Sequence, residues 1–157
     1  MRRYRRPVVA TLGLFAVLAL PSGAWAATRG FHLDLPSWDF TGGACVRPGP
    51  DDTCLTAAVT ADGTVAGSLG TGDYHADLVV DFTPGGDCNI VDESDTFAFP
   101  QGTLYVHSHH EDCRLHGNRI FTDFTVVGGT GAYAGASGGG REFGNGGAPI
   151  TYNGRFD

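Results

Sequence analysis

The chain contains no lysine; its ten basic residues are all arginines. Four of them, Arg2, Arg3, Arg5 and Arg6, crowd the N-terminus, leaving Arg29, Arg47, Arg114, Arg119, Arg141 and Arg155 downstream. Set against 17 acids, that downstream part has a formal net charge of −11. Such a surface repels phosphate backbones and anionic lipid heads, which excludes nucleic-acid binding and peripheral membrane attachment as working readings. A diffuse acidic surface of this kind serves solubility. Helix-forming composition is scarce too, with few leucines and 25 glycines in 157 residues. Only one long apolar run occurs, Val8 to Leu20, and its 13 residues fall short of the roughly 20 that cross a bilayer. Arginines precede it, and Pro21 and the small-residue site Ala24-Trp25-Ala26 follow. That order predicts a secretory signal over residues 1–26, by the general or the twin-arginine route. The expected product is one soluble, secreted domain, 27–157, of 131 residues.

What is present includes four cysteines, all downstream of that signal: Cys45, Cys54, Cys88 and Cys113. An even count in an exported chain reads as two disulfides with three possible pairings. The turn-rich segment from Val46 to Thr53 favours Cys45–Cys54, leaving Cys88–Cys113. Catalytic thiols and cysteine zinc sites fit an oxidising compartment poorly.

Short apolar or alternating stretches separated by turn signals predict an all-β domain. Strands are expected near Phe31–Leu35, Leu55–Thr60, Thr64–Leu69, Ala76–Phe82, Thr96–Phe99, Gly102–His109, Arg119–Val127, Gly139–Phe143 and Ile150–Phe156. Ala61-Asp62-Gly63 reads as a hairpin turn, because Asp-Gly accepts positive φ. Thr83 to Asp95, with Pro84-Gly85-Gly86 and several acids, reads as a loop or flap. Eight or nine strands in one chain are best closed into an antiparallel barrel, which removes exposed edges.

The stretch from Thr125 to Gly138 is a strand running into a glycine turn, with Tyr133 as the one large side chain to plug an end of the core. A phosphate loop is excluded, since no lysine and no helix follow. A dinucleotide fingerprint lacks its βαβ context. Gly128-Gly129-Thr130-Gly131, Tyr133, Gly135-Ala136 and Gly138, entered by Asp123-Phe124-Thr125-Val126-Val127, resemble the glycine signature of allene oxide cyclase barrels and of the related dirigent proteins. The resemblance covers under a third of the domain. It implies an eight-stranded, calycin-like barrel with an internal pocket, a small apolar ligand and no cofactor. It carries over no catalytic residue, because the glycine run is structural in those families.

The densest polar constellation is Val106-His107-Ser108-His109-His110-Glu111-Asp112-Cys113. On a strand, His107 and His109 share one face while Ser108 and His110 share the other. If the face of Leu104 and Val106 lines the barrel, His107 and His109 are outward and idle. If the pocket is polar, they line it with Tyr105. His-x-His can also offer two imidazoles to zinc or copper, with Glu111, Asp112 or His116 as a third ligand; weak binding at most is expected. Among the acids, Asp77 and Asp81 oppose the apolar face of Leu78, Val80 and Phe82, which puts them outside. Asp123 is mid-strand with apolar residues on both sides. Arg141-Glu142 offers an anchor for an anionic group or a surface ion pair. No serine-hydrolase elbow surrounds Ser108 or Ser137, and Trp38 is the sole tryptophan of the domain once Trp25 leaves with the signal.

The sequence thus points to an exported, cofactor-independent barrel that steers ring closure or isomerisation of a small apolar molecule. Its expected catalytic groups are Asp123, His107 and His109, with Tyr105, Arg141 and Phe124 lining the substrate. The rival is a secreted binding or structural barrel without catalysis. The interior separates them: an open pocket with at least two convergent polar groups favours the enzyme, and a closed apolar core favours the structural barrel. The catalytic assignment falls if Asp123, His107 and His109 all point to solvent.

Overall fold

The computed structural model describes residues 28–84, 88–113, 119–145 and 147–157. The expected signal over 1–26, together with Arg114 and His116, lies outside the described residues. Eight antiparallel strands close into one barrel in which each strand pairs with its sequence neighbours and β1 with β8. They are β1 (Arg29–Pro48), β2 (Cys54–Gly67), β3 (Gly70–Asp81), β4 (Cys88–Phe99), β5 (Gly102–Cys113), β6 (Arg119–Gly129), β7 (Gly138–Asn145) and β8 (Gly147–Phe156).

One end is closed and apolar. The turn Gly131–Tyr133 drops the Tyr133 ring into the barrel, 5.9 Å from Phe99 and 5.7 Å from Phe156. Phe31 and Phe124 continue the stack at 5.9 Å, and Phe97 meets Tyr152 at 5.0 Å. Room for these rings comes from β7 and β8, whose inward positions here are Gly140 and Gly154. A Cβ at either would lie 2.6 or 2.7 Å from the tip of Phe124. Part of the glycine content is therefore the space that aromatic rings occupy.

The other end is open, and both disulfides lie there. Cys45–Cys54 ties the end of β1 to the start of β2, and Cys88–Cys113 joins directly opposed residues of β4 and β5. Both pairings are those the turn-rich segment favours.

Two local expectations need correction. Ala61-Asp62-Gly63 is not a turn: β2 runs through it, with Trp38 opposite Gly63 on one side and Tyr74 on the other. Gly63 serves close approach, since a Cβ there would sit 2.8 Å from that of Trp38. The turn falls at Ser68-Leu69, before Gly70, whose φ of 110° suits glycine. This merges two expected strands into one and makes the count eight. Secondly, Asn89 to Asp95 is not a flap but most of β4. Its acids alternate, Asp92 outward, Glu93 and Asp95 inward. A polar interior hid the strand from a search for apolar alternation.

Candidate functional site

From the open end a pocket of about 400 Å³ enters the barrel. Its upper wall is apolar, built by Trp38, Phe40, Leu78, Phe82 and Ile120 among others, and Glu93, Tyr74, His110, Asp112 and Asn89 supply the polar surface. Strand alternation explains the set. Leu78 and Val80 of β3, with Phe82 just beyond its end, form an inward apolar face, as the opposite placement of Asp77 and Asp81 requires. Leu104, Val106, Ser108 and His110 follow one another down the inward face of β5.

Beneath the pocket is a buried acidic layer. The Tyr74 hydroxyl lies 3.1 Å from Glu93 Oε1 and 2.9 Å from Asp95 Oδ1, and the Tyr152 hydroxyl donates to Asp95 Oδ2 at 3.2 Å. Tyrosine supplies one proton per hydroxyl. Two phenolic protons serve three contacts, and a protonated Asp95 supplies the third by donating to Tyr74 while Tyr74 donates to Glu93 and Tyr152 to Asp95. The electrostatics agree. Burial, then the charges of Glu93 and Glu142, push the Asp95 carboxyl well above the usual carboxylate range. Burial and Glu93 do the same to Glu142. Tyr74 and Tyr152 are likewise driven up by burial and then by Asp95, so both stay protonated. His110 moves the other way: burial lowers its pKa and holds it as neutral imidazole. A proton-holding acid layer and an uncharged imidazole with one free ring nitrogen thus share one cavity.

Several polar atoms in this interior are buried and have no hydrogen-bond partner among the described residues: Trp38 Nε1, Ser108 Oγ, His110 Nδ1, Asp112 Oδ1 and both carboxyl oxygens of Glu142. Native interiors seldom leave such groups unsatisfied, and those that do are often functional.

The residues expected to be catalytic are placed elsewhere. His107 and His109 are on the outer face of β5, 3.8 and 3.3 Å from Asp92 Oδ2. Asp123, with 80% of its side chain exposed, accepts a hydrogen bond from Arg141 Nε at 3.0 Å. Arg141 also lies over the Phe121 ring, 5.3 Å from its centre. Tyr105 faces outward as well, while Phe124 is inward but buried in the closed-end core rather than in the pocket. None of these six residues lines the pocket; for His107, His109 and Tyr105 the reason is that the Leu104–Val106 face of β5 is the inward one. Glu142 does not pair with Arg141 on the surface: neighbours on a strand point oppositely, and Glu142 is fully buried.

Sequence reasoning passed over Glu93, Asp95 and Glu142. The available signal was the period-two continuation backward from Phe99 and Phe97 through Asp95, Glu93 and Val91. As to metals, Cys88, Glu111 and Cys113 are the described residues whose ligand atoms converge within 4.8 Å, and both cysteines are spent in the disulfide. Compared with known proteins, the chain matches no family model and no curated protein sequence.

Proposed function

We propose that this barrel is an exported, cofactor-independent isomerase or cyclase acting on a small, largely apolar molecule. The observation that carries the reading is one open pocket holding a neutral imidazole, His110, and a proton-bearing Tyr74–Glu93–Asp95 cluster. Apolar walls hold a flexible ligand in one folded conformer, which removes an entropic part of the barrier to ring closure. The cluster delivers its proton through Glu93 to a ligand oxygen, and His110 accepts one from the ligand. Composition is unchanged, as isomerisation requires. The imidazolium returns its proton to the cluster through solvent at the open mouth. Positioned acid and base groups of this kind contribute about 10²–10⁴ in rate. The glycine-run resemblance to allene oxide cyclase and dirigent barrels supports the same class, and the disulfides suit the expected export.

The test uses prodan, a neutral fluorescent probe, to report pocket occupancy, and a short-chain unsaturated epoxide generated in situ as substrate. The expected result is an excess of one product enantiomer, lost in His110→Gln and in Glu93→Gln. A racemic product from protein that still binds prodan overturns catalysis and leaves the binding barrel.

A further inference from the structure

We infer that the ligand carries a cationic amine on an apolar body. This rests on the pocket reading above and names its ligand class.

The polar surface of the pocket is rich in acceptors and, among the described residues, lacks a positive counterpart. Glu93 and Asp112 present carboxyl groups to it, and His110 presents an uncharged ring. Among the described residues no arginine lines the pocket, and the chain has no lysine. Arg47 is engaged with Asp81 at 3.1 Å and Arg141 with Asp123 at 3.0 Å, both with exposed side chains. Arg29 and Arg155 lie toward the opposite end, beside Phe156 and Asp157.

A second, independent observation points to a missing donor. Glu142 is 0% exposed, turned into the acidic layer, and neither of its oxygens has a partner among the described residues. Asp112 Oδ1, on the pocket wall, is buried and unpartnered too. Buried acceptors left without donors are destabilising. On the pocket wall an ammonium brings three N–H donors to the carboxyl oxygens of Glu93 and Asp112. At the mouth, Trp38 and Phe40 meet edge to face at 5.0 Å and offer aromatic surface to a cation and to an apolar body. The acidic surface raises the local concentration of cations. A metal ion suits the site less well, because these interior carboxyls are not among the residues that converge within 4.8 Å. A carboxylate ligand would add acceptors to a wall already rich in them.

The test displaces prodan from the folded protein with three probes sharing one body: phenylbutylamine, phenylbutanol and phenylbutyrate. The expected order is amine first, at a concentration about tenfold below that of the alcohol, with the carboxylate weakest. Asp112→Asn should narrow the interval between amine and alcohol. If prodan binds and the amine displaces it no better than the alcohol does, the amine inference is overturned and the pocket reading stands. If prodan does not bind the folded wild-type protein, the pocket reading itself fails.

Discussion

Following the inward faces of β4, β5, β6 and β7 from the closed end to the open one, the same alternation carries two different chemistries. On β4 the inward residues run Phe99, Phe97, then Asp95 and Glu93; on β5 they run Leu104, Val106, then Ser108 and His110. On β6, Phe124 gives way to Thr122, and on β7 Gly140 gives way to Glu142. The closed half is a stacked aromatic core, and its burial stabilises the barrel. The open half buries acids that oppose folding, and two covalent bridges tie its rim. Stability and chemistry are thus segregated along the barrel axis on shared strands.

The largest expected effect tests the closed half. Phe97 is fully buried, with its ring 5.6 Å from Tyr74 and 5.0 Å from Tyr152. Phe97→Ala should cost about 3–5 kcal/mol in urea unfolding. Phe40→Ala, at the mouth, removes a ring that is 62% exposed and should cost under about 1 kcal/mol. Equal losses would break the contrast.

Next comes the stapling of the open half. Replacing Cys88 and Cys113 by serine frees a 25-residue separation and should lower stability by about 3 kcal/mol. Prodan affinity should fall as well, since the bridge clamps β4 to β5 where Glu93 and His110 face the pocket. Loss of stability with unchanged prodan affinity would separate the rim from the site.

The acidic layer then predicts a pH dependence. Glu142 has a folded-state pKa above its ordinary value of 4.5, so the folded chain holds a proton that the unfolded chain has released. Stability must therefore decline as pH rises from about 4.5 toward the raised native value, with a slope near 1.4 kcal/mol per pH unit for one proton. Glu142→Gln removes that contribution. Its unfolding free energy should exceed that of the wild type increasingly on going from pH 5 to pH 8. Parallel profiles would show that Glu142 is not held protonated.

The two halves also differ in how far they could be read from sequence. Apolar features were legible because apolar residues obey the alternation that defines a strand: Tyr133 as plug of the closed end, and Leu78, Val80 and Phe82 opposite the acids of β3; which face of β5 points inward was left open. The disulfide pairs were accessible from local turn chemistry. Glu93 and Asp95 were not, since an acid at an inward position looks like an acid in a loop until the register of β4 is known. Glu142 was obscured by its neighbour: Arg141 suggested a surface pair, while strand geometry sends the two side chains to opposite sides. Gly63 carried a turn signature and is used instead for close approach to β1, which only the β1–β2 pairing reveals. Sequence reading fails where the barrel departs from an apolar interior, and that is where the candidate site lies.

The smallest expected effect concerns the outer wall, where β5 offers an internal control. His107 and His109 alternate with Ser108 and His110 on one strand, so the comparison holds backbone and neighbourhood fixed. The outer pair contacts only Asp92 among the exposed ion pairs, at 3.8 and 3.3 Å. Exposed pairs of this kind are screened by water and contribute little. His107→Ala with His109→Ala, and separately Asp123→Asn, should each change unfolding free energy by less than about 0.5 kcal/mol. Prodan affinity should stay at the wild-type value in both. His110→Ala differs, because it enlarges the pocket and removes the imidazole from its wall; probe affinity should shift even where stability does not. If the outer variants abolish prodan binding or product enantiomer excess while His110→Ala leaves both intact, the working face of β5 is the outer one and the interior assignment falls.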